Sequence, residues 1–327
     1  MSRPRNFAEF SRIPDPSIDT LKNATIVPVR DEKHLPCGVL RADGTLCPNS
    51  RTMLIRPRLT APPAAPDPRE IIDLPGRHLY GGVARVHFGH FLTETISRLW
   101  ALDHLEAPVD SIILQPIYHR SAKRLFGKTL REIVEVLSNG VPIQAFDTPM
   151  RAEELVVPSQ GVGHFGWSTG TPEFRQFVRN RFEARFKANG PEKLYISRAR
   201  LEKGDRHLDQ EDQIEEMMVN AGYTIFHPER YTIREQAEHY LAARMIVGGD
   251  GSAFHFAAHL LQPGTKVGLI KRRHYTEVFT AIAEQIKAFG KVELSTMHPL
   301  LPATDDTDKA PINLHRLERA LRNKGFL

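Results

Sequence analysis

The C-terminal part of the chain alternates short apolar runs with amphipathic segments, and this alternation constrains the fold more than any other feature. After residue 192 the runs predicted as strands are KLYIS, YTIFHP, MIVGG and KVGLIK. The segments that follow each of them have helical spacing, and Thr232 with Glu235 forms a capping-box pattern. Strands that alternate with helices of this length predict βαβ units around a parallel sheet.

The N-terminal part predicts a less regular organisation. The first 75 residues are rich in proline, with APPAAPDP at 61–68, and predict turns, short strands and irregular segments that lie over a domain. A helix is predicted from His90 onward, in the segment HFLTETISRLWALDHL. Two further helices are predicted at 121–139 and 172–189, and strands at SIILQP and ELVVPS.

Bulk properties restrict the functional class. A chain of 327 residues accommodates two domains of about 150 residues. It contains no apolar run of about 18 residues and no apolar segment of a secretory signal, so we expect a cytoplasmic protein. A net charge of +5 suits an anionic small molecule, a membrane surface or nucleic acid. Because the basic residues are dispersed, we expect no nucleic-acid partner. We also expect Cys37 and Cys47 to be reduced thiols.

The segment VGGDGSAFHFAAHL joins a predicted strand to a predicted helix. Its glycines would let a phosphate approach the unpaired N–H groups at the helix start, where Ser252 could add a hydroxyl donor. Asp250 would repel a phosphate and could instead cap the helix or hold a sugar or ribose hydroxyl. The alternative is a tight turn that binds no ligand.

A second glycine segment, GVGHFG at 161–166, matches the pattern of a dinucleotide-binding turn. That turn requires a helix to begin there, whereas the helix-breaking segment WSTGTP follows. No acidic residue ends a second strand at the required distance. The segment therefore predicts a flexible loop that rims a cleft, without a nicotinamide or flavin.

Histidine and acidic residues recur at helical spacing in HFGHFLTETISRL. His90, Glu94 and Arg98 are four apart and would line one helical face, with His87 just before them. A histidine beside a carboxylate can act as a general base. The alternative is a solvated helix face with an ion pair. No third metal ligand is evident, so no metal site is predicted.

Two arginines follow the strand KLYIS, in the segment YISRARLEKGDRHLDQED. Arg198 lies just beyond the carboxyl end of the strand, and Arg206 follows a short loop. The guanidinium fork suits phosphate oxygens, although both residues could be ordinary surface arginines. Their proximity in sequence to the glycine turn favours a diphosphate site.

Taken in order, three of these blocks resemble glycosyltransferase family 61. They are GHFLTETISRLWAL, KLYISR with the later Arg206, and the long block YTIREQAEHYLAARMIVGGDGSAFHFAAHL. The resemblance covers roughly residues 80–270. It implies an α/β, GT-B-like fold with two Rossmann-like parallel-sheet domains facing a cleft. The implied parts are an N-terminal segment at 1–75, an acceptor-side domain at 76–189, a nucleotide-sugar domain at 190–295, and a C-terminal tail and helix at 296–327.

The resemblance also implies an inverting hexosyl- or pentosyltransferase that needs no metal or other cofactor. Its donor would be a UDP-linked sugar, and its acceptor a glycan or glycolipid in capsular or other cell-surface polysaccharide synthesis. His90 would be the base and Glu94 its partner, with His87 as a second candidate. Glu229 and Gln236 would line the nucleoside or sugar pocket, unless Gln236 is a packing residue. The diphosphate would be held by Arg198, Arg206 and the turn of Gly249, Asp250, Gly251, Ser252 and Ala253, with Asp250 touching sugar or ribose. Ser197 would also belong to the substrate-binding residues.

Other interpretations stay open from the sequence. The chain could be a non-catalytic protein that binds a nucleotide-sugar or glycan and regulates polysaccharide assembly. It could be another Rossmann-type enzyme such as a dehydrogenase, or a basic scaffold on anionic membranes. A homodimer and peripheral contact with the inner face of the cell membrane are both compatible with the transferase interpretation. The sequence does not identify the sugar, the acceptor or the linkage.

Overall fold

A computed structural model describes most of the chain as two compact units, residues 1–181 and 182–327. The division falls within a helix, before the predicted boundary at 189. Within the described part, no helix is long and apolar enough to cross a bilayer. The described residues are 10–30, 35–54, 58–117, 127–202, 207–302 and 310–327.

The first unit is built on a six-stranded mixed sheet. Its strands, with two short ones that pair separately as β3 and β4, are β1 (Ile18–Val27), β2 (Gly38–Leu40), β3 (Met53–Leu54), β4 (Arg58–Leu59), β5 (Ile72–Ala84), β6 (Ser111–Pro116), β7 (Ile143–Ala145) and β8 (Met150–Pro158). The order in the main sheet is β2-β1-β8-β5-β6-β7. The four strands from β5 to β8 are parallel, whereas β1 runs antiparallel to both β8 and β2.

The predicted parallel sheet is therefore confirmed for strands β5 to β8, whereas the antiparallel strands β1 and β2 were not predicted. The antiparallel strands come from the first 75 residues, where an uninterrupted run without proline pairs along the whole of β8. Ala24 and Ile26 of β1 are buried in one core cluster with Tyr80 of β5 and Val157 of β8. This part of the N-terminal segment belongs to the sheet and does not merely cover it.

The segment after β5 does not form the single helix that its spacing predicts. It consists of an α-helical turn at Phe88–His90, a π-helical turn at Phe91–Thr95 and a 3-10 turn at Leu99–Asp103. The amide of Ile96 bonds to the carbonyl of Phe91, five residues back, which is the π pattern. The apolar positions were predicted correctly, because Leu92, Ile96 and Leu99 are buried. Within the described range 127–202, two regular helices follow, α1 (Lys128–Ser138) and α2 (Pro172–Arg185).

The second unit confirms the predicted alternation. Its five strands are β9 (Lys193–Ile196), β10 (Thr224–Phe226), β11 (Met245–Gly249), β12 (Lys266–Ile270) and β13 (Glu293–Met297). Its helices are α3 (Glu211–Asn220), α4 (Ile233–Ala242), α5 (Ser252–Ala258), α6 (Thr276–Gly290) and α7 (Leu314–Asn323). The predicted capping box of Thr232 and Glu235 opens α4. Leu317 of α7 packs in one cluster with Tyr195 and Val247 of the sheet.

The strand order of this unit fixes where a ligand can bind. All pairs in the order β10-β9-β11-β12-β13 are parallel. The chain moves outward in one direction from β9 to β10 and in the other from β11 onward, so β9 and β11 flank the topological switch point. In open α/β sheets the crevice at the carboxyl ends of these two strands is the usual ligand site.

Candidate functional site

In the first unit, two histidines share one buried carboxylate. His90 Nδ1 lies 2.8 Å from Glu94 Oε1, and His164 Nε2 lies 2.6 Å from the same oxygen. Glu94 is fully buried, while the His90 and His164 side chains are 15% and 13% exposed. The sequence placed His90 and Glu94 together correctly, and the structure adds His164.

The carboxylate of Glu94 stays ionised in this setting. Burial raises its pKa, but the hydrogen bonds from His164 and His90, with the positive charge of those rings when protonated, outweigh burial and lower the pKa to about 2. Arg85 Nε lies 3.4 Å from the second oxygen, Oε2. Since the folded pKa lies below the usual value, the stabilising effect of this group is present above about pH 4.5 and is lost as the pH falls toward 2.

The loop that carries His164 is ordered by packing, so the predicted flexible loop is wrong. A Cβ on Gly161 would lie 2.7 Å from Trp100 and 2.8 Å from Phe174, which leaves no room for a side chain. The amide of Trp167 bonds to the carbonyl of His164, and the 3-10 turn Phe165–Thr169 follows. The close packing of the glycines places His164 at Glu94.

Arg98 does not share a face with His90 and Glu94, contrary to the prediction. Its fully buried guanidinium donates to the carbonyls of Asn49, Arg51 and Pro158 and to Thr52 Oγ1. The π-helical turn alters the angular spacing, and these acceptors draw the side chain into the interior. His87 is exposed and lies close to His90, with ring centroids 5.0 Å apart.

The same three side chains could hold a metal, and His164 is the third candidate ligand that was not evident from the sequence. The candidate ligand atoms of His90, Glu94 and His164 all lie within 4.8 Å of one another. Two histidines with a glutamate form a known catalytic zinc set. However, both ring nitrogens lie at hydrogen-bond distance from one oxygen, and Arg85 would repel a divalent cation. The geometry fits a hydrogen-bonded triad better than a metal centre.

In the second unit, the turn at residues 249–253, here called the glycine turn, lies at the switch point. The side chain of Arg198 packs against it. Gly249 ends β11, and Arg198 follows β9, the neighbouring strand. A Cβ on Gly251 would lie 2.2 Å from Arg198 Nη1, so the guanidinium lies directly against this glycine. A Cβ on Gly248 would meet the Ile196 carbonyl at 2.8 Å, which explains that glycine by strand packing alone.

Two further arginines, missed by the sequence reasoning, approach this turn from the end of β12. Arg272 donates its backbone N–H to Asp250 Oδ1 at 3.0 Å and its Nε–H to the Asp250 carbonyl at 2.8 Å. Arg273 Nε lies 3.3 Å from Asp250 Oδ2. Asp250 is fully buried, so these contacts orient both arginines around the turn. That Asp250 contacts sugar or ribose stays a prediction, but its carboxylate already has these partners and caps no helix.

The position of Arg198 is fixed by a buried carboxylate. Glu211 Oε1 accepts the backbone N–H of Arg198 at 2.7 Å, and Oε2 accepts that of Leu208 at 3.0 Å. Burial raises the pKa of Glu211, against the opposing effect of these N–H donors. Both ends of the loop after β9 are therefore tied to the start of α3. The predicted Arg206 belongs to this loop and lies outside the described residues.

The helix after the glycine turn contributes less to anion binding than predicted. Helix α5 has only seven residues, so its dipole and its exposed N–H groups are a minor source of anion affinity. Ser252 and Ala253 are partly exposed at its first turn. Arginine side chains are thus the main cationic groups at this end of the sheet.

Of the remaining predicted residues, Ser197 and Glu229 lie beyond the carboxyl ends of β9 and β10, and Gln236 lies on α4. Ser197 donates its hydroxyl to Glu215, which also lies 3.8 Å from His227 Nε2. Glu229 is 4.0 Å from His227 Nδ1, so it joins this polar group. Gln236 is buried and donates to the carbonyls of Pro228 and Tyr231, which supports its alternative role as a packing residue.

The chain matches a known protein family. A family model described as Glycosyltransferase 61 matches residues 88–268, more than half of the chain. The matched range includes the His90–Glu94 turn, the His164 loop, Arg198 and the glycine turn, whereas Arg272 and Arg273 lie beyond it. No curated protein matches the chain.

Proposed function

The chain belongs to glycosyltransferase family 61, and we propose that it transfers a sugar from a nucleotide-sugar, expected to be UDP-linked, to a hydroxyl of a glycan acceptor. We propose inversion at the anomeric carbon and a role in capsular or other cell-surface polysaccharide synthesis. Binding of the donor needs no metal in this proposal. The resemblance to family 61 is thereby confirmed, while donor, stereochemistry and pathway are proposals.

The observation that carries the proposal is the group of three arginines at the switch point of the second unit. Arg198, Arg272 and Arg273 come from the ends of β9 and β12 and surround the turn that ends β11. Asp250 orients two of these guanidinium groups through fixed contacts. Preorganised guanidinium groups suit a diphosphate, whose negative charge grows as it leaves the sugar.

The proposed reaction is a single displacement. The acceptor hydroxyl gives its proton to His90 as its oxygen bonds to the anomeric carbon. The bond from that carbon to the diphosphate oxygen breaks at the same time, and its electron pair leaves with the diphosphate. Arginines stabilise the departing charge, as oxyanion-binding donors do in other enzymes. Glu94 stabilises the imidazolium that forms.

The buried triad favours an enzyme over the non-catalytic alternative. Burying an ionised glutamate costs free energy unless hydrogen bonds compensate for the lost hydration. Here the two histidines provide such bonds to Glu94. Sugar or nucleotide binding alone does not require a proton acceptor of this kind. We further propose that Glu229 lines the sugar or nucleoside pocket and that Ser252, partly exposed after the glycine turn, donates its hydroxyl to the diphosphate.

Replacing Arg198 with alanine tests the donor site. We expect kcat/KM for the donor to fall about 100-fold, because one charge-assisted contact to the leaving group is lost. The measurement is release of nucleoside diphosphate from nucleotide-sugar plus acceptor. Arg200→Ala is the matched control, since this exposed arginine lies two positions further on. Equal activity in the two variants would refute the assignment of Arg198.

Gly251→Ala tests the position of Arg198 without removing its charge, because the added methyl group displaces the guanidinium. The new Cβ would lie 2.2 Å from Arg198 Nη1, so the guanidinium must move. The backbone of Gly251 is extended, with φ of 172°, so alanine adds no strain, and we expect Tm to change little. The KM for the donor should rise about 10-fold, since small displacements of binding groups are costly. An unchanged KM would contradict the proposed role of the arginine position.

A further inference from the structure

His164 is the one member of the triad that no local sequence pattern connects to the others. It lies 70 residues after Glu94 in the chain, in a loop held by glycine packing. Its Nε2 lies 2.6 Å from Glu94 Oε1 and 3.3 Å from Thr93 Oγ1. The Thr93 hydroxyl donates to the Gly89 carbonyl, so its oxygen can accept a hydrogen bond from the Nε2–H of His164.

The shared oxygen determines which ring nitrogens carry protons. An ionised carboxylate only accepts hydrogen bonds, so both nitrogens that face Oε1 must be donors. The pKa of Glu94, about 2, keeps it ionised near neutral pH. His90 is therefore protonated at Nδ1 and His164 at Nε2. In their neutral forms, the unprotonated nitrogens are Nε2 of His90 and Nδ1 of His164.

Holding Glu94 in place requires donors on more than one side. His90 reaches Oε1 from the same helical turn, His164 reaches it from a distant loop, and Arg85 lies beside Oε2. Oε2 makes no hydrogen bond within the described residues beyond this ion pair. Without His164, the carboxylate would keep a single short hydrogen bond, the one from the ring that it must orient.

We propose that His164 is a positioning residue that fixes Glu94, so that His90 remains the Nδ1–H tautomer with Nε2 as the proton acceptor. This proposal deepens the transferase function and rests on it for the role of His90. The hydrogen-bond geometry carries it independently of any donor. His164 itself takes no proton from the acceptor in this arrangement.

The direct test is nitrogen-15 NMR of the histidine side chains in the intact protein, which reports the tautomer of each ring. His90→Gln and His164→Gln assign the two rings among the 15 histidines by loss of their signals. We expect His90 protonated at Nδ1 and His164 at Nε2. His90 protonated at Nε2 in the wild-type protein would overturn the proposal, whether or not the protein transfers sugar.

Two substitutions separate positioning from a merely structural role. His164→Gln retains an amide donor near the place of Nε2, so we expect the His90 tautomer to persist and kcat to stay within about 3-fold of wild type. His164→Ala removes the donor, so we expect mixed His90 tautomers and a kcat about 10- to 100-fold lower, with the donor KM unchanged. His315→Gln, an exposed histidine on α7, is the control.

The outcomes distinguish the proposal from its rivals. An alanine variant that keeps both the His90 tautomer and the rate would refute positioning by His164. Stoichiometric zinc or another divalent metal in the purified protein, whose removal changes the histidine spectra, would replace the triad by a metal centre. The expected tautomers in a protein that transfers no sugar would leave the triad intact and refute only the proposed function.

Discussion

Replacing His90 with alanine is expected to lower kcat about 100- to 10,000-fold while donor binding is retained. The acceptor hydroxyl then has no base at the position that the triad defines, and its proton must leave to water. His90 is proposed to act on the acceptor hydroxyl and not on the diphosphate, so the donor dissociation constant should not change. Glu94→Gln should have a similar effect, because a neutral amide cannot stabilise the imidazolium.

The measurement combines single-turnover transfer with equilibrium binding of the donor. His104→Ala is the matched control, since this histidine is exposed and belongs to the same unit but makes no described contact with the triad. A His90→Ala variant with wild-type kcat would mean that another group accepts the proton. Loss of donor binding together with turnover would instead indicate a fold defect.

Replacing Arg98 with methionine is expected to destabilise the first unit by about 2–4 kcal/mol. The guanidinium donates to three carbonyls, with distances of 3.1 Å to the buried Pro158 and of 3.0 Å and 2.6 Å to the partly buried Asn49 and Arg51. Each acceptor left without a donor costs about 1–3 kcal/mol. Removing a charge that burial penalises offsets part of this loss, and burial does lower the pKa of Arg98. The free energy lost with the hydrogen bonds should exceed the free energy gained by removing the buried charge.

Tryptophan fluorescence during urea unfolding measures this effect. Both tryptophans, Trp100 and Trp167, belong to the first unit, so their emission follows that unit alone. Arg98→Lys should also destabilise, because one ammonium group cannot reach all the acceptors that the planar fork serves. Arg131→Met, at an exposed helix position, is the control and should change the unfolding free energy by less than about 0.5 kcal/mol. An Arg98→Met protein as stable as this control would contradict the role of the buried guanidinium.

The second unit was predictable because its signals are local. Fully buried parallel strands appear as short apolar runs, and the turns and helix starts between them carry their own residue preferences. The same locality made the His90–Glu94 pair visible, since residues four apart meet in α- and π-helical turns alike. Arg198 was visible because it ends a strand in a parallel sheet, where ligands usually bind.

The features that could not be predicted from the sequence depend on contacts between distant segments. His164 belongs to a glycine segment that was interpreted by its resemblance to a nucleotide motif, and only the packing of the loop brings it to Glu94. Arg272 and Arg273 look like surface charges after a strand, until the pairing of β11 with β12 sets them beside Asp250. Arg98 was misplaced because a π-helical turn changes which residues share a face.

The pairing direction of β1 could not be derived for a related reason. Its residues form strands equally well in parallel and antiparallel pairs, and the choice depends on the long connection that leads to β5. Proline-rich composition suggested irregular structure over all of the first 75 residues. Within Ile18–Val27, a ten-residue stretch without proline pairs with β8, and this pairing outweighs that composition locally.

The most direct measurement is the thermal unfolding midpoint of the purified protein with UDP, other nucleoside diphosphates and their sugars, in the presence of EDTA. A ligand that binds only the folded protein raises the midpoint by mass action, by about 2.7 kcal/mol of stability at a concentration 100 times its Kd. We predict that UDP and at least one UDP-sugar raise the midpoint of the wild-type and Arg200→Ala proteins, and raise that of Arg198→Ala much less. A midpoint that no nucleotide in the panel shifts would contradict the assignment of the arginine group as a donor diphosphate site.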